Sequence, residues 1–123
     1  MKPNGFPTKE KLKKKSEVDL LFKKGKWLSV ENLRIIYFNS SEKYPIGQHK
    51  IGVSVSKKFF KRAVDRNRIK RLLRESYRLN KSAYLDAFGE KSFAMLFWVS
   101  KDLPEDFSVV ETQFLNLCEK KIK

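Results

Sequence analysis

Hydrophobic residues follow strand-like patterns in four short segments. Leu33–Phe38 and Lys50–Val55 are rich in β-branched and aromatic residues, and Trp27–Val30 has the length of a short extended piece. In Ser92–Val99, hydrophobic residues occupy both alternating sets of positions, which predicts a strand covered on both faces and therefore central in its sheet. The polar segment Asn39–Gln48 predicts a loop that joins the second and third strands as antiparallel neighbours.

Three other segments show the spacing of three and four residues that is typical of helices. The first begins at Ser16 with a variant of the capping box and ends at Gly25. The second begins at Lys58 or Arg62 and ends at Leu79, and the third covers residues 105–120. The pattern predicts one α+β domain over residues 1–123 in the order αβββαβα. Residues 1–15 are predicted to form a mobile basic arm.

Composition limits the class of protein without identifying it. The 123 residues are 41% hydrophobic, enough for one modest core. The longest apolar run, Phe93–Val99, is too short to span a membrane, and the N-terminus shows no apolar segment of a secretory signal. The single cysteine, Cys118, cannot form an internal disulfide, so a reducing, cytoplasmic setting fits best.

Positive charge is concentrated in the second predicted helix. Residues 57–81 contain eleven Lys or Arg against two acids, which gives +9 of the chain's net +14. Arg66, Lys70, Arg74 and Arg78 repeat every four residues with no acid between them on that face, whereas an ordinary exposed helix mixes signs. Guanidinium groups suit phosphates, so the pattern favours nucleic-acid binding over an ordinary solvated face. A lipid surface fits less well, because the opposite face must pack on the sheet.

Aromatic side chains offer a second kind of contact. Phe22 and Tyr37 are predicted to line a cleft at the edge of the first helix, where unpaired bases can stack, although core packing is the alternative for each. Signs of catalysis are absent from the sequence. The single histidine, His49, is interpreted as a packing residue, Cys118 as buried and inert, and the acids are too scattered to hold two metal ions.

The stretch of residues 57–75, KKFFKRAVDRNRIKRLLRE, strongly resembles the signature of the bacterial ribonuclease P protein family. Residues 12–26, LKKKSEVDLLFKKGK, look like the family's first helix, and residues 51–58, IGVSVSKK, look like the strand that leads into its basic helix. The chain departs from the pattern at residues 60–62, where some members have a Gly-Asn pair. The resemblance covers nearly the whole chain.

This resemblance implies a fold and a function. The family's mixed sheet and helices are similar to the second domain of a small-subunit ribosomal protein and include a left-handed crossover. A member joins a large catalytic RNA, one protein for each RNA, and together they act as an endoribonuclease that removes the 5′ leader of precursor tRNA. Magnesium ions held mainly by the RNA do the chemistry, and neither a membrane nor DNA is a partner.

The resemblance also implies two groups of binding residues. Phe22 and Tyr37 would line the cleft that receives the single-stranded leader. The catalytic RNA would be bound by Lys57, Lys58, Lys61, Arg62, Arg66, Asn67, Arg68, Lys70, Arg71 and Arg74. Two alternatives stay open at the level of the sequence. One is a ribosomal or RNA-chaperone protein that has no catalytic RNA partner, and the other is a nuclease that acts without RNA.

Overall fold

The computed structural model describes residues 10–122, which form four helices and a four-stranded mixed sheet of order β1-β2-β4-β3. β1 pairs antiparallel with β2, β2 antiparallel with β4, and β3 parallel with β4. In chain order the elements are α1 (Lys15–Lys24), β1 (Lys26–Val30), β2 (Leu33–Asn39), β3 (Lys50–Val55), α2 (Ala63–Leu79), α3 (Lys81–Phe88), β4 (Ser92–Trp98) and α4 (Phe107–Ile122).

The centre of the sheet is β4, as its pattern predicts. Leu96 lies opposite Ile35 of β2 on one side, and Ala94 lies opposite Ile51 of β3 on the other. The prediction that β2 and β3 are antiparallel neighbours was therefore wrong. β4 is apolar at both alternating sets of positions, so it takes the place that is covered on both faces and leaves β3 at the edge.

The helix α3 was missed, and the observed order is αβββααβα. Asn80 ends α2, where its side-chain amide donates to the carbonyl oxygen of Ser76 at 2.9 Å and to Glu111 at 2.9 Å. α3 follows at once, with no Pro or Gly to mark the boundary, and ends at Gly89, whose φ is 93°. α2 and α3 together form the crossover between the parallel strands β3 and β4. The left-handed sense of this crossover stays a prediction.

The two faces of the sheet are covered unequally. Helices α2, α3 and α4 cover one face, where Ile35, Leu96 and Phe114 belong to the larger core. On the other face α1 packs against β2 and β4 and buries Leu21 and Ile36 in a smaller core. Because α1 has only ten residues, part of this second face stays open.

The segment before α1 packs along the edge of the sheet. The Leu12 amide donates to the Ile51 carbonyl at 3.2 Å, and Lys11 forms a parallel bridge with Ile51. This part of the predicted mobile arm is therefore anchored, and residues 1–9 lie outside the described residues. The predicted capping box at Ser16 was wrong, because α1 begins at Lys15 and its N-cap, Lys14, makes no side-chain cap hydrogen bond.

Candidate nucleic-acid interface

The loop between β3 and α2 holds four cations outward by burying one aromatic ring. The amide of Lys58 donates to the Ser56 hydroxyl at 3.0 Å, and the amide of Phe60 donates to the Ser56 carbonyl at 3.2 Å. The Phe60 side chain is buried in the larger core. This turn leaves four exposed cationic side chains at the N-terminus of α2, where the helix dipole also favours an anion. They are Lys57, Lys58, Lys61 and Arg62.

The Arg66 side chain connects this loop to the helix through hydrogen bonds. Its Nη1 donates to the carbonyl oxygens of Phe60 and Lys61, both at 2.8 Å. These bonds satisfy two carbonyl groups of the loop that precedes the helix. Arg66 therefore fixes the position of the neighbouring cations, as well as adding its own charge.

The rest of α2 divides into a buried face and a cationic one. Ile69, Leu73, Ser76 and Tyr77 are buried. Asn67, Arg71 and Arg74 are exposed and Lys70 is half-buried on the opposite side. We call the outward set the cationic surface, which comprises Lys57, Lys58, Lys61, Arg62, Asn67, Lys70, Arg71 and Arg74.

Two arginines of α2 make contacts within the protein. Arg68 reaches the loop before α4 and donates to the carbonyls of Pro104 and Glu105, both at 3.4 Å. Arg78 was expected on a face without acids, yet it forms a two-pronged ion pair with Glu75 at 3.0 and 2.8 Å. The hydrogen bonds from Arg78 lower the pKa of Glu75. The carboxylate therefore stays ionised and offsets the charge of Arg78.

The structure does not bring Phe22 and Tyr37 together. Phe22 belongs to α1 and lies on the open face of the sheet, whereas Tyr37 lies on the other face. The Tyr37 ring is 5.2 Å from that of Phe88, and the Lys121 ammonium lies 5.4 Å from its centre. The prediction that Tyr37 lines the same cleft as Phe22 was wrong. Tyr37 is two residues from Ile35 along β2, so it faces the larger core.

Phe22 belongs instead to a group that we call the aromatic–arginine cluster: Phe22, Trp27, Arg34 and Phe97. The ring of Phe22 lies 6.1 Å from those of Trp27 and Phe97, and these two are 5.5 Å apart. The Arg34 guanidinium lies 4.7 Å from the centre of the Trp27 ring. Phe22 and Trp27 are 45% and 47% exposed, so their faces can accept another flat group.

The sequence did not identify Arg34 and Phe97 as parts of this cluster, although the alternation of residues between the two faces of β2 and β4 could have indicated them. Arg34 and Ile36 alternate with Leu33 and Ile35, and the register places Arg34 opposite Phe97. Arg34 is a charged residue in a strand rich in apolar residues, so it must lie where the sheet is uncovered. The missing step was to decide which face of β2 the short helix α1 covers.

The single histidine belongs to a buried polar group that we call the Glu10 cluster: Glu10, His49, Tyr77 and Lys81. The Tyr77 hydroxyl donates to Glu10, His49 Nε2 lies 2.7 Å from the Tyr77 oxygen and 3.2 Å from Glu10, and Lys81 donates to Glu10 at 2.9 Å. Burial acts to raise the pKa of Glu10, but these hydrogen bonds outweigh it and lower the pKa. The cluster ties the segment before α1 to α2 and α3.

The remaining groups to consider for chemistry are the single cysteine and the side chains that could bind a metal ion. Cys118 is buried on α4, and burial raises the pKa of its thiol to about 12, which keeps it protonated. Within residues 10–122, His, Cys, Asp and Glu side chains form no group of three or more that suits a metal ion. None of the helices in this described part is both long and apolar enough to cross a lipid bilayer.

Comparison with known proteins agrees with this architecture. The family model for Ribonuclease P matches residues 6–121. The chain is 40% identical over 109 residues to the ribonuclease P protein component of Porphyromonas gingivalis, covering 87% of this chain and 79% of that protein. It is 38% identical over 120 residues to the ribonuclease P protein component of Dictyoglomus thermophilum, covering 94% and 90%.

A solved structure is similar over nearly the same span. The RNase P protein from Thermotoga maritima superposes with a TM-score of 0.72 at 26% identity, covering 90% of this chain and 96% of that one. The chain belongs to the bacterial ribonuclease P protein family, as its motif around Arg66 indicates. Its fold is the single α+β domain of that family.

Proposed function

We propose that this chain binds both the catalytic RNA of ribonuclease P and the 5′ leader of precursor tRNA, and thereby promotes endonucleolytic removal of the leader. The cationic surface binds the phosphates of the folded catalytic RNA, which proteins recognise mainly by shape. The aromatic–arginine cluster binds unpaired bases of the leader, whatever their sequence, because every base has a face that can stack. The protein acts in the bacterial cytoplasm as a monomer, one for each RNA.

The observation that carries this proposal is that both surfaces lie beside the end of β3. Phe97 of the cluster lies opposite Ser54 of β3. Two residues later, Ser56 begins the loop that holds Lys57 and Lys58 outward. The unpaired leader must be held close to the catalytic RNA that cleaves it, so a protein that binds both needs a stacking surface adjacent to a phosphate-binding one. A general RNA chaperone has no such need.

We assign the hydrolytic chemistry to magnesium ions held by the RNA. The two acids of α2 are Asp65 and Glu75, and Glu75 is already paired with Arg78. The described residues therefore do not offer the carboxylate set that two-metal hydrolysis requires. The protein's own contribution is to hold the substrate in place and to neutralise phosphate repulsion at the RNA surface.

Reconstitution tests the proposal directly. A 5′-labelled precursor tRNA is incubated at low magnesium with a bacterial catalytic RNA, with this protein, or with both. Cleavage at the mature 5′ end that requires both components supports the proposal. Cleavage by the protein alone would instead show a nuclease, and tight RNA binding without stimulation would favour the ribosomal or chaperone function.

Precursors with different leader lengths distinguish binding by the aromatic–arginine cluster from binding by the cationic surface. Precursors with progressively shorter leaders are compared in the same holoenzyme. The protein should increase precursor affinity only when the leader is long enough to reach the aromatic–arginine cluster. An equal gain for a tRNA without a leader would show that the protein does not bind the leader.

A further inference from the structure

A cationic cavity lies between the segment before α1, the edge of β3 and the side of α2. Its volume is about 240 Å³, and Met95 of the central strand contributes to its lining. Gly52 helps to keep the space open, because a Cβ atom there would lie 3.3 Å from the Met95 methyl group and 3.6 Å from Leu12 Cβ. The other residues that matter for its chemistry are Lys11, Lys13, Val53 and Arg74.

The charged side chains around this cavity are all positive. Lys11 and Lys13 line it from the segment before α1 and Arg74 lines it from α2, and no acid is among its lining residues. Three cations around one small space repel one another unless an anion lies between them. Leu12, Ile51 and Met95 also line the cavity, so the anion that fits is one group on a larger molecule with an apolar portion.

The edge of β3 adds a backbone donor. The Ile51 carbonyl points away from the sheet, since it accepts the hydrogen bond from Leu12. Residues two apart along a strand direct their backbone groups to the same edge, so the N–H of Val53 also points outward, and Val53 lines the cavity. A phosphate oxygen that enters between Lys13 and Arg74 therefore meets a backbone N–H as well.

Arg74 lines a different recess from two other arginines of α2. Arg71 and Arg78 line a different recess, together with Phe107 at the start of α4. Arg74 lines the cavity beside β3. Arg74 and Arg71 therefore face different recesses, although they are neighbours on the outward face of α2.

We infer that this cavity is a separate phosphate-binding subsite, which holds one phosphodiester group of RNA between Lys11, Lys13 and Arg74. At about 240 Å³ the cavity is smaller than the pockets of roughly 300–1,000 Å³ that enclose whole small molecules, so it admits one phosphate and part of its sugar. The inference rests on the proposed RNA binding. The phosphate belongs either to the catalytic RNA or to the leader.

The first experiment uses the protein alone. Backbone amide NMR spectra are recorded while inorganic phosphate is added to the parent protein and to the double variant Lys13→Gln/Arg74→Gln. The amides of Gly52 and Val53 should shift and saturate in the parent but not in the double variant. The variant Arg74→Lys, which keeps the charge, should retain the response. Because no RNA is present, this result does not depend on whether reconstitution succeeds.

The second experiment measures binding of the catalytic RNA, and separately of a leader oligonucleotide, over a range of salt concentrations. Loss of two phosphate contacts should reduce the slope of log affinity against log salt by about 1.4 to 1.8. A fourfold rise in salt should then weaken the double variant about tenfold less than the parent. The control Lys43→Gln/Lys91→Gln removes the same charge from two exposed residues outside the cavity and should leave the slope unchanged.

The RNA whose slope changes is the source of the phosphate, and the inference requires both results. If the Gly52 and Val53 amides do not respond to phosphate, the cavity does not bind it. If they respond but both slopes match those of the control, the cavity binds free anions and not the RNA backbone. Either result overturns the inference, and the proposed function can still be judged by cleavage of precursor tRNA.

Discussion

The Glu10 cluster permits a quantitative test of how the segment before α1 is held. The substitution Glu10→Gln keeps the shape of the side chain and removes its charge. Glu10 is only 4% exposed and accepts hydrogen bonds from Tyr77 and Lys81, with His49 also in contact. The neutral amide weakens each of these bonds, because hydrogen bonds to a charged group are roughly twice as strong as neutral ones.

The expected loss follows from these contacts. Each of the two buried bonds, to Tyr77 and His49, should weaken by about 0.5–1 kcal/mol, and loss of the half-exposed pair with Lys81 should cost about 0.5 kcal/mol more. The free energy of unfolding should therefore fall by about 2 kcal/mol. For a domain of this size, that corresponds to a decrease in Tm of roughly 8 °C.

The lowered pKa of Glu10 determines the pH range over which its carboxylate stabilises the fold. The pKa of Glu10 is lowered in the folded protein, while an unfolded glutamate has a pKa of about 4.3. The stabilisation is therefore fully present above about pH 5 and is lost as the pH falls through the lowered pKa. The difference in stability between the parent and Glu10→Gln should shrink over that range.

Thermal unfolding followed by circular dichroism between about pH 3.5 and pH 7 measures both quantities. Glu42→Gln makes the same chemical change at an exposed position in the loop before β3 and serves as the control. If Glu10→Gln and Glu42→Gln unfold alike at pH 7, or if the Glu10→Gln difference persists unchanged at low pH, the reasoning is refuted. The segment before α1 would then be held by Leu12 and its backbone bonds alone.

Three further predictions concern single residues. Trp27→Ala should weaken leader binding by about 1–3 kcal/mol, as measured by fluorescence anisotropy, whereas Tyr37→Leu on the other face should not. Arg71→Gln should reduce the salt dependence of catalytic-RNA binding by about one phosphate contact. Arg78→Gln should reduce it by less, because Glu75 already neutralises Arg78. Equal effects of the two variants would contradict this role of Glu75. Cys118 should react with a thiol reagent only after unfolding, since burial raises its pKa to about 12; rapid reaction of the native protein would contradict this.

Local patterns predicted most of the elements correctly. β3 has the predicted bounds, Lys50–Val55, and β2 extends one residue beyond the predicted Leu33–Phe38. Gly25 ends α1 as expected, where an added Cβ atom would lie 2.7 Å from Ile36 Cγ1. These features depend on neighbouring residues in the chain, so they can be read from spacing and residue type.

Features that depend on distant residues were not predictable in the same way. The local pattern of β4 predicts a central strand, but it does not predict that the neighbours of β4 are β2 and β3, because strand pairing depends on distant parts of the chain. The face on which Tyr37 lies depends on where α1 packs. The partners of Arg66 and Arg68 are backbone carbonyls, and any loop of suitable shape can supply those. The chain's sequence gave no residue-specific reason to expect them.

The position of β4 has a consequence for synthesis of the chain. Among the strands of residues 10–122, β4 is the last to leave the ribosome, yet it is the one that pairs with both β2 and β3. Until residues 92–98 emerge, the β1–β2 hairpin and β3 have no shared partner, and an isolated hairpin is marginal in water. Meanwhile α2 has already emerged with its arginines and lysines. The nascent chain is therefore a polycation before it has a complete sheet, and folding can finish only after β4 has inserted and α4 has packed on the larger core.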